Sequence, residues 1–319
     1  MKDLSIITDL QFGSTGKGLL AGWLAKRICP DTIITAWSPN AGHTFIDKDG
    51  NKFVNTALPN GIVAPGVRQV LLGPGSVIDP DALLDEMTRY AAYLDGVEIC
   101  IHENAAVVGA RHRQSEAQGM FKIGSTMKGV GAAVIEKIGR DPASNIIARD
   151  ALVSTPLEGF VVSAAEYNQR IDAADVGLLE GAQGFSLSIN QGFYPYTTSR
   201  DCTTHQLLSD CAIPANPHMN KYVFGCARTY PIRVANRFDT NGNMIGTSGP
   251  CYPDQKEITW ERLGMRPELT TVTKLPRRIF TYSKQQIEEA VRMNGVTSLF
   301  LNFTNYIGKD TEPFRMQLI

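Results

Sequence analysis

An excess of charge of either sign is missing from this sequence: 31 Lys and Arg stand against 32 Asp and Glu, a net charge of −1. That balance removes the global electrostatic footprint of a nucleic-acid or membrane-surface binder. Basic pairs such as Arg111/Arg113 and Arg277/Arg278 have to be judged singly. Long hydrophobic runs are also missing, and none approaches the roughly 20 residues that span a bilayer. At the start, Asp3 and Asp9 bracket too short an apolar run for a signal peptide. The six cysteines (Cys29, Cys100, Cys202, Cys211, Cys226, Cys251) contain no Cys-x-x-Cys pair. This argues against zinc and for buried thiols in a reducing cytoplasm. Internal repeats and low-complexity linkers are absent too, so a single domain over residues 1–319 is expected, although this length also admits two smaller ones.

What is present is ordinary globular material, 43% hydrophobic and 20% charged, enough for a sizeable core. Apolar, β-branched runs alternate with helical patterns. Strands are expected at Leu4–Thr8, Thr32–Trp37, Gln69–Leu72, Val97–Ile101, Val176–Leu179, Tyr222–Gly225 and Ser298–Phe303. Several are apolar on both faces, as strands are when helices cover both sides. Asp79-Pro80 reads as an N-cap with proline at the first helical position, opening a helix over Asp81–Leu94. Ser163-x-x-Glu166 and Ser283-x-x-Gln286 read as capping boxes, the second helix stopping at Gly295. Alternation of this kind means α/β with a mostly parallel central sheet and helices on both faces. Long loops are expected at Gly184–Arg200, Asn236–Gln255 and Trp260–Pro276, and long loops poor in Ser/Gly filler suggest function.

The stretch Gln11-Phe12-Gly13-Ser14-Thr15-Gly16-Lys17-Gly18-Leu19 separates the first strand from a helical pattern. Its glycines let backbone N–H groups converge, the helix N-terminus adds partial positive charge, and Lys17 adds a full one. This suits a polyphosphate, although an ordinary βα turn would look similar. It is not a Walker A loop, which needs a glycine at position 11, where this chain has Gln11. Asn40-Ala41-Gly42-His43-Thr44 follows the second strand, where open α/β sheets bind ligands; a satisfied loop histidine is the plainer alternative. Lys122-Ile123-Gly124-Ser125-Thr126-Met127-Lys128-Gly129-Val130-Gly131 offers two hydroxyls and a lysine to a phosphate monoester, or is simply a mobile polar loop, with Arg140 beyond an expected helical turn. Glu180-Gly181-Ala182-Gln183-Gly184 places an amide that donates and accepts at a strand end. Tyr194–Ser199, with Thr198, is rich in hydroxyls, and Thr270–Arg278 carries arginines able to clamp a carboxylate or merely to meet water.

Taken in order, these motifs resemble those of the adenylosuccinate synthetases, from about residue 4 to about residue 305. Asn40–Thr44 and Glu180–Gly184 are the most specific pieces. The resemblance implies a P-loop-NTPase-like fold and a ligase that joins L-aspartate to C6 of a 6-oxopurine nucleotide. A nucleoside triphosphate first phosphorylates O6, and the aspartate amine then displaces phosphate. It implies that Gly13, Thr15, Gly16, Lys17 and Gly18 hold the donor phosphates, together with Gly42, His43 and Thr44. Gly42 and Ser14 would lie at a Mg2+ ion. His43, Lys17, Gln183 and Ser14 would carry the chemistry. Asn40, Ser125, Thr126, Gln183 and Thr198 would hold the acceptor nucleotide. Arg140 would reach the nucleotide of a neighbouring subunit, implying a homodimer. Thr273 and Arg277 would take the aspartate.

Four departures refine this. The family's glycine loop has an aspartate, which takes the N1 proton and ligates magnesium, where this chain has Ser14. A smaller neutral group makes room for a guanine N2 amine. The aspartate loop has Leu275 where the family has an arginine that touches the ribose 2′-hydroxyl. The acid that reads the guanine of GTP is replaced by Asn302 or Asn305, which suit an adenine edge. The sequence also stops at Ile319, before the family's C-terminal segment. All four fit the bacteriophage branch of the family, in which dGMP, L-aspartate and ATP give 2-amino-2′-deoxy-N6-succinyl-AMP for 2-aminoadenine DNA. The alternatives are a cellular-type enzyme using IMP and GTP, and a nucleotide-binding protein that has lost catalysis. The group that removes the N1 proton stays open among a water, a Ser14 relay and Asp9.

Overall fold

A computed structural model describes residues 1–119, 125–270 and 274–307. Its centre is an eight-stranded sheet. In spatial order the strands are Ser298–Asn302, Asn220–Arg228, Asp3–Asp9 (β1), Val176–Glu180, Thr32–Thr35 (β2), Gln69–Leu72, Glu98–His102 and Val161–Val162. Every neighbouring pair is parallel. Seven of the eight are the seven expected from the sequence, with ends shifted by a few residues. The two-residue Val161–Val162 edge strand is too short to carry a periodic signal.

The two faces explain that apolarity. Ile7, Ile33, Val70 and Leu178 pack into one core with Leu20 and Leu24 of helix α1, Lys17–Ile28. Leu4, Ile6, Ile34, Leu71 and Leu179 pack into another with Tyr167, Ile171 and Leu207 from helices on the opposite side. Full burial of a Leu contributes about 1.5–3 kcal/mol, so α1 is held chiefly by its apolar face. An antiparallel hairpin, β3 (His43–Ile46) with β4 (Lys52–Asn55), lies over α1. Gly22 is required there, because a Cβ would come 2.4 Å from the Phe45 ring.

Several local expectations need correction. The second strand ends at Thr35, and Trp37 turns out of the ladder to bond a neighbouring strand's carbonyl. The helix opened by Pro80 runs Pro80–Arg89 (α2) and tightens to a 3₁₀ turn at Ala91–Tyr93. Asp79 stands at its N-cap, but its carboxylate bonds Arg113 at 2.7 Å and does not cap. Ser163 and Ser283 do cap their helices, accepting from the N–H of Glu166 and of Gln286. The reciprocal side chains go elsewhere, Glu166 to Arg170 and Gln286 to Ser186, so each box is half made. The Asn236–Gln255 loop contains a small hairpin, Arg237–Phe238 with Met244–Gly246. Among the described residues no helix is long and apolar enough to cross a membrane.

Candidate active site

Three adjacent strands place the three most informative motifs side by side. β1 ends at Asp9 and runs into the glycine loop. β2 leads to Asn40–Thr44, and the strand between them ends at Glu180, just before Gln183. Their carboxyl ends point the same way because all three are parallel, which is where open α/β sheets bind ligands.

The glycine loop is built on Asp9. One oxygen of this buried carboxylate accepts from the N–H groups of Gln11 (2.9 Å) and Gly13 (3.2 Å). The other accepts from Thr15 Oγ1 (2.5 Å) and Lys17 Nζ (2.8 Å). Four donors saturate it, so Asp9 is the loop's anchor and not a free base. Thr15, 0% exposed, is an internal tie for the same reason. Gly16 adopts φ 92° at the N-cap of α1, and a Cβ there would come 2.0 Å from the Asn302 amide. Gly18 has to be bare because the Thr44 backbone N lies 2.7 Å from where its Cβ would stand. Ser14 is exposed with φ 55°, a left-handed conformation costly for a non-glycine residue. Its carbonyl is held by Arg228 Nη1 at 3.0 Å.

Beside the loop, the Gln183 amide donates to Asn40 Oδ1 at 3.1 Å, joining two motifs 143 residues apart. Lys17 Nζ also donates to the Gln183 carbonyl at 2.6 Å. His43 is buried and stacks on Trp37, ring centroids 3.8 Å apart and planes at 27°. Burial, and then the Lys17 ammonium, hold its imidazole well below its ordinary value, which favours the neutral ring, one nitrogen a donor and the other an acceptor. Trp37 Nε1 in turn donates to the Glu180 carbonyl at 2.9 Å. The Glu180 carboxyl accepts from the N–H groups of Asn60 and Gly61, yet burial outweighs them and pushes it up to about 7.

The remaining expected residues are placed differently. Asn302 donates to the Thr15 carbonyl (3.4 Å) and accepts from the Phe303 N–H (2.8 Å), so both ends of its amide are engaged behind the loop. Asn305 is exposed nearby. The Thr198 N–H bonds the carbonyl of Leu187, which packs near Gly13. Ser125 is held by Arg237 Nη2 at 2.9 Å, and Thr126 follows it. Arg140 is exposed at the end of helix α3, Val130–Gly139, whose N-terminal N–H groups bond the buried Glu116 carboxylate. Gly42 is exposed and open, with nothing within 4 Å of a Cβ placed there. The Arg277 N–H bonds the Glu268 carbonyl at 2.8 Å. Thr273 lies outside the described residues, as do Lys122, Ile123 and Gly124.

Sequence reasoning missed the Arg228–Glu268 pair. Arg228 is 0% exposed, bonds Glu268 at 2.5 Å and 3.3 Å, and lies 3.9 Å from the Phe303 ring centroid. Tyr306 completes the cluster by donating to Glu268 at 2.8 Å. The cluster ties Ser14 to the Thr270–Arg278 loop region. No sequence signal marked it: the expected strand stops at Gly225, and only the structure carries it on to Arg228. The donor set for a cation is sparse: no group of three His, Cys, Asp or Glu among the described residues could hold a metal. Asp9 is saturated, which leaves the Ser14 hydroxyl and the Gly42 carbonyl. Such a set fits only a hard cation that brings phosphate and water ligands with it, which is how Mg2+ commonly binds.

Comparison with known proteins bears on this arrangement. A family model described as adenylosuccinate synthetase matches residues 6–154 and 143–309. The chain is 48% identical over 337 residues to the N6-succino-2-amino-2′-deoxyadenylate synthase of Acinetobacter phage SH-Ab 15497, covering 98% of this chain and 86% of the relative. It is 29% identical over 310 residues to the adenylosuccinate synthetase of Thermococcus onnurineus, covering 95% and 84%. A solved structure of the cyanophage S-2L succinoaminodeoxyadenylate synthetase, bound to dGMP and dATP as an energy donor, superposes with a TM-score of 0.89. That protein is 47% identical, with 96% of this chain and 86% of that one covered.

Proposed function

This chain belongs to the adenylosuccinate synthetase family, and on that premise we propose that it joins L-aspartate to C6 of dGMP at the expense of ATP. The products are ADP, phosphate and 2-amino-2′-deoxy-N6-succinyl-AMP, a precursor of 2-aminoadenine DNA, made in the cytoplasm of a phage-infected host. The observation that carries this reading is the relatives' similarity. The phage relative named for this chemistry is 48% identical, and the archaeal adenylosuccinate synthetase 29%.

The reaction divides between two leaving groups. The C6 oxygen of guanine is amide-like and does not leave. Transfer of the ATP γ-phosphoryl group to it, with loss of the N1 proton, makes it a phosphate ester that does. The aspartate amine then attacks C6 and phosphate departs. Phosphoryl transfer needs position and charge neutralisation more than covalent help. Lys17 and the N–H groups at the start of α1 supply positive charge for the donor phosphates. Mg2+, held by the Ser14 hydroxyl and the Gly42 carbonyl together with those phosphates, would neutralise further charge. Neutral His43 donates to the oxygen on which charge develops. Gln183 and Asn40 hold one another and face the acceptor nucleotide. Ser125, Thr126 and Thr198 take its phosphate and sugar side. Ser14, exposed and small, leaves space for the guanine N2 amine. Thr273 and Arg277 bind the aspartate. Arg140 completes the site of a second subunit in a homodimer. Ile135 and Ile138, 65% and 68% exposed on the same helix, give that contact an apolar face.

Phosphate release with L-aspartate and ATP, compared for dGMP, GMP and IMP, tests the proposal. Turnover with dGMP is expected. Turnover confined to IMP with GTP would overturn it, and none with any pair would leave a nucleotide-binding protein.

A further inference from the structure

Two asparagines stand apart among the buried polar groups. Asn55 and Asn60 are both 0% exposed. Among the buried side chains of the described residues, only these two have amides with neither nitrogen nor oxygen bonded. An unbonded buried polar group is costly, and an apolar residue would serve packing better. Both lie under β3. The Asn60 amide nitrogen is 2.8 Å from where a Cβ on Gly18 would stand, beside the Thr44 backbone. Asn55 is directly opposite His43 in the β3–β4 ladder, and both residues lie on the buried face of the hairpin. Opposed residues on one face have Cβ atoms about 5 Å apart, within reach of a hydrogen bond between side chains.

His43 needs such a partner. A neutral imidazole has one N–H and one lone pair, and it donates usefully only if the hydrogen is on the nitrogen facing the reacting oxygen. Trp37 stacks on the face of the ring and so fixes its plane, not its tautomer.

We propose that Asn55 is a positioning residue for His43: its amide N–H donates to the ring nitrogen facing it, which places the single imidazole hydrogen on the other nitrogen, toward the reacting oxygen. The inference rests on the role given to His43 above. The two residues are partners in the ladder, and neither end of the Asn55 amide is bonded elsewhere.

The ¹⁵N shifts of the imidazole nitrogens report the tautomer directly. His43→Ala assigns the His43 signals among the five histidines of the chain. The wild type with dGMP bound is expected to show one neutral tautomer. Asn55→Leu, which keeps the volume and removes the donor, should show a mixture. Its kcat should fall about tenfold, the worth of one hydrogen bond in the transition state, with KM for dGMP unchanged. Asn55→Asp, which presents a carboxylate acceptor, should draw the hydrogen to the near nitrogen, so the inference does not hang on one variant. A wild-type mixture, or an Asn55→Leu spectrum and kcat equal to wild type, would overturn it. If His43→Ala itself keeps full turnover, the catalytic reading fails, whereas the tautomer spectra still decide whether Asn55 and His43 are bonded.

Discussion

The ammonium of Lys17 lies 2.8 Å from the Asp9 carboxylate and 2.6 Å from the Gln183 carbonyl. One cation therefore joins the glycine loop to the turn that carries Gln183. The Lys17 and Asp9 side chains are only 6% and 0% exposed, so water offers neither much compensation if the other is lost.

Asp9→Asn follows from this relationship. It leaves the Lys17 charge buried without a counter-ion and weakens the acceptor of four hydrogen bonds. Breaking a buried pair from one side costs about 3–5 kcal/mol. Urea unfolding should show a loss of that order, and KM for ATP should rise. An unchanged midpoint would mean that the backbone alone shapes the loop.

His43→Ala should lower kcat by about 10²–10³-fold, as removal of a preorganised donor does, while the Kd for dGMP shifts far less. The bond strengthens as charge develops, so its loss is felt in the transition state. Lost binding with full turnover at saturation would reduce His43 to a ligand-holding group.

Ser14→Asp tests base selection. A larger, charged side chain fills the space given to the N2 amine, and the variant should lose dGMP relative to dIMP in kcat/KM. Since Ser14 is exposed and its carbonyl is held by Arg228 irrespective of side chain, folding should survive. An unchanged preference would place guanine selection elsewhere.

Glu180 ties stability to pH. Its carboxyl moves from an ordinary 4.5 in the unfolded chain to about 7 in the fold, raised by burial against the two N–H bonds. The folded state then holds an extra proton between those values. Its contribution is full below about 4.5 and is lost as pH rises through 7. Glu180→Gln does not titrate, so its stability deficit against wild type should narrow by roughly 2.5 kcal/mol between pH 5 and pH 8. A constant deficit in denaturant melts at the two pH values would show that Glu180 is ionised throughout.

By itself the sequence determined the seven main strands, their parallel sense and the order of the binding motifs. Strands covered on both faces are apolar throughout, and glycine loops at strand ends announce themselves by composition. Ser14 was legible in the same way, as a local change in a known pattern. Only the tertiary structure decided the partners. That Asp9 is an anchor, that Arg228 and Glu268 hold Ser14, and that Asn55 faces His43 depends on register and strand order. Asn302 reads as a base contact from its motif, and the bonds of its amide to the Thr15 carbonyl and the Phe303 N–H appear only in the fold. Side-chain roles of this kind are set by contacts between residues distant in the chain. Spacing within a motif cannot encode them, because the same side chain can cap, pair or catalyse according to what the fold brings beside it.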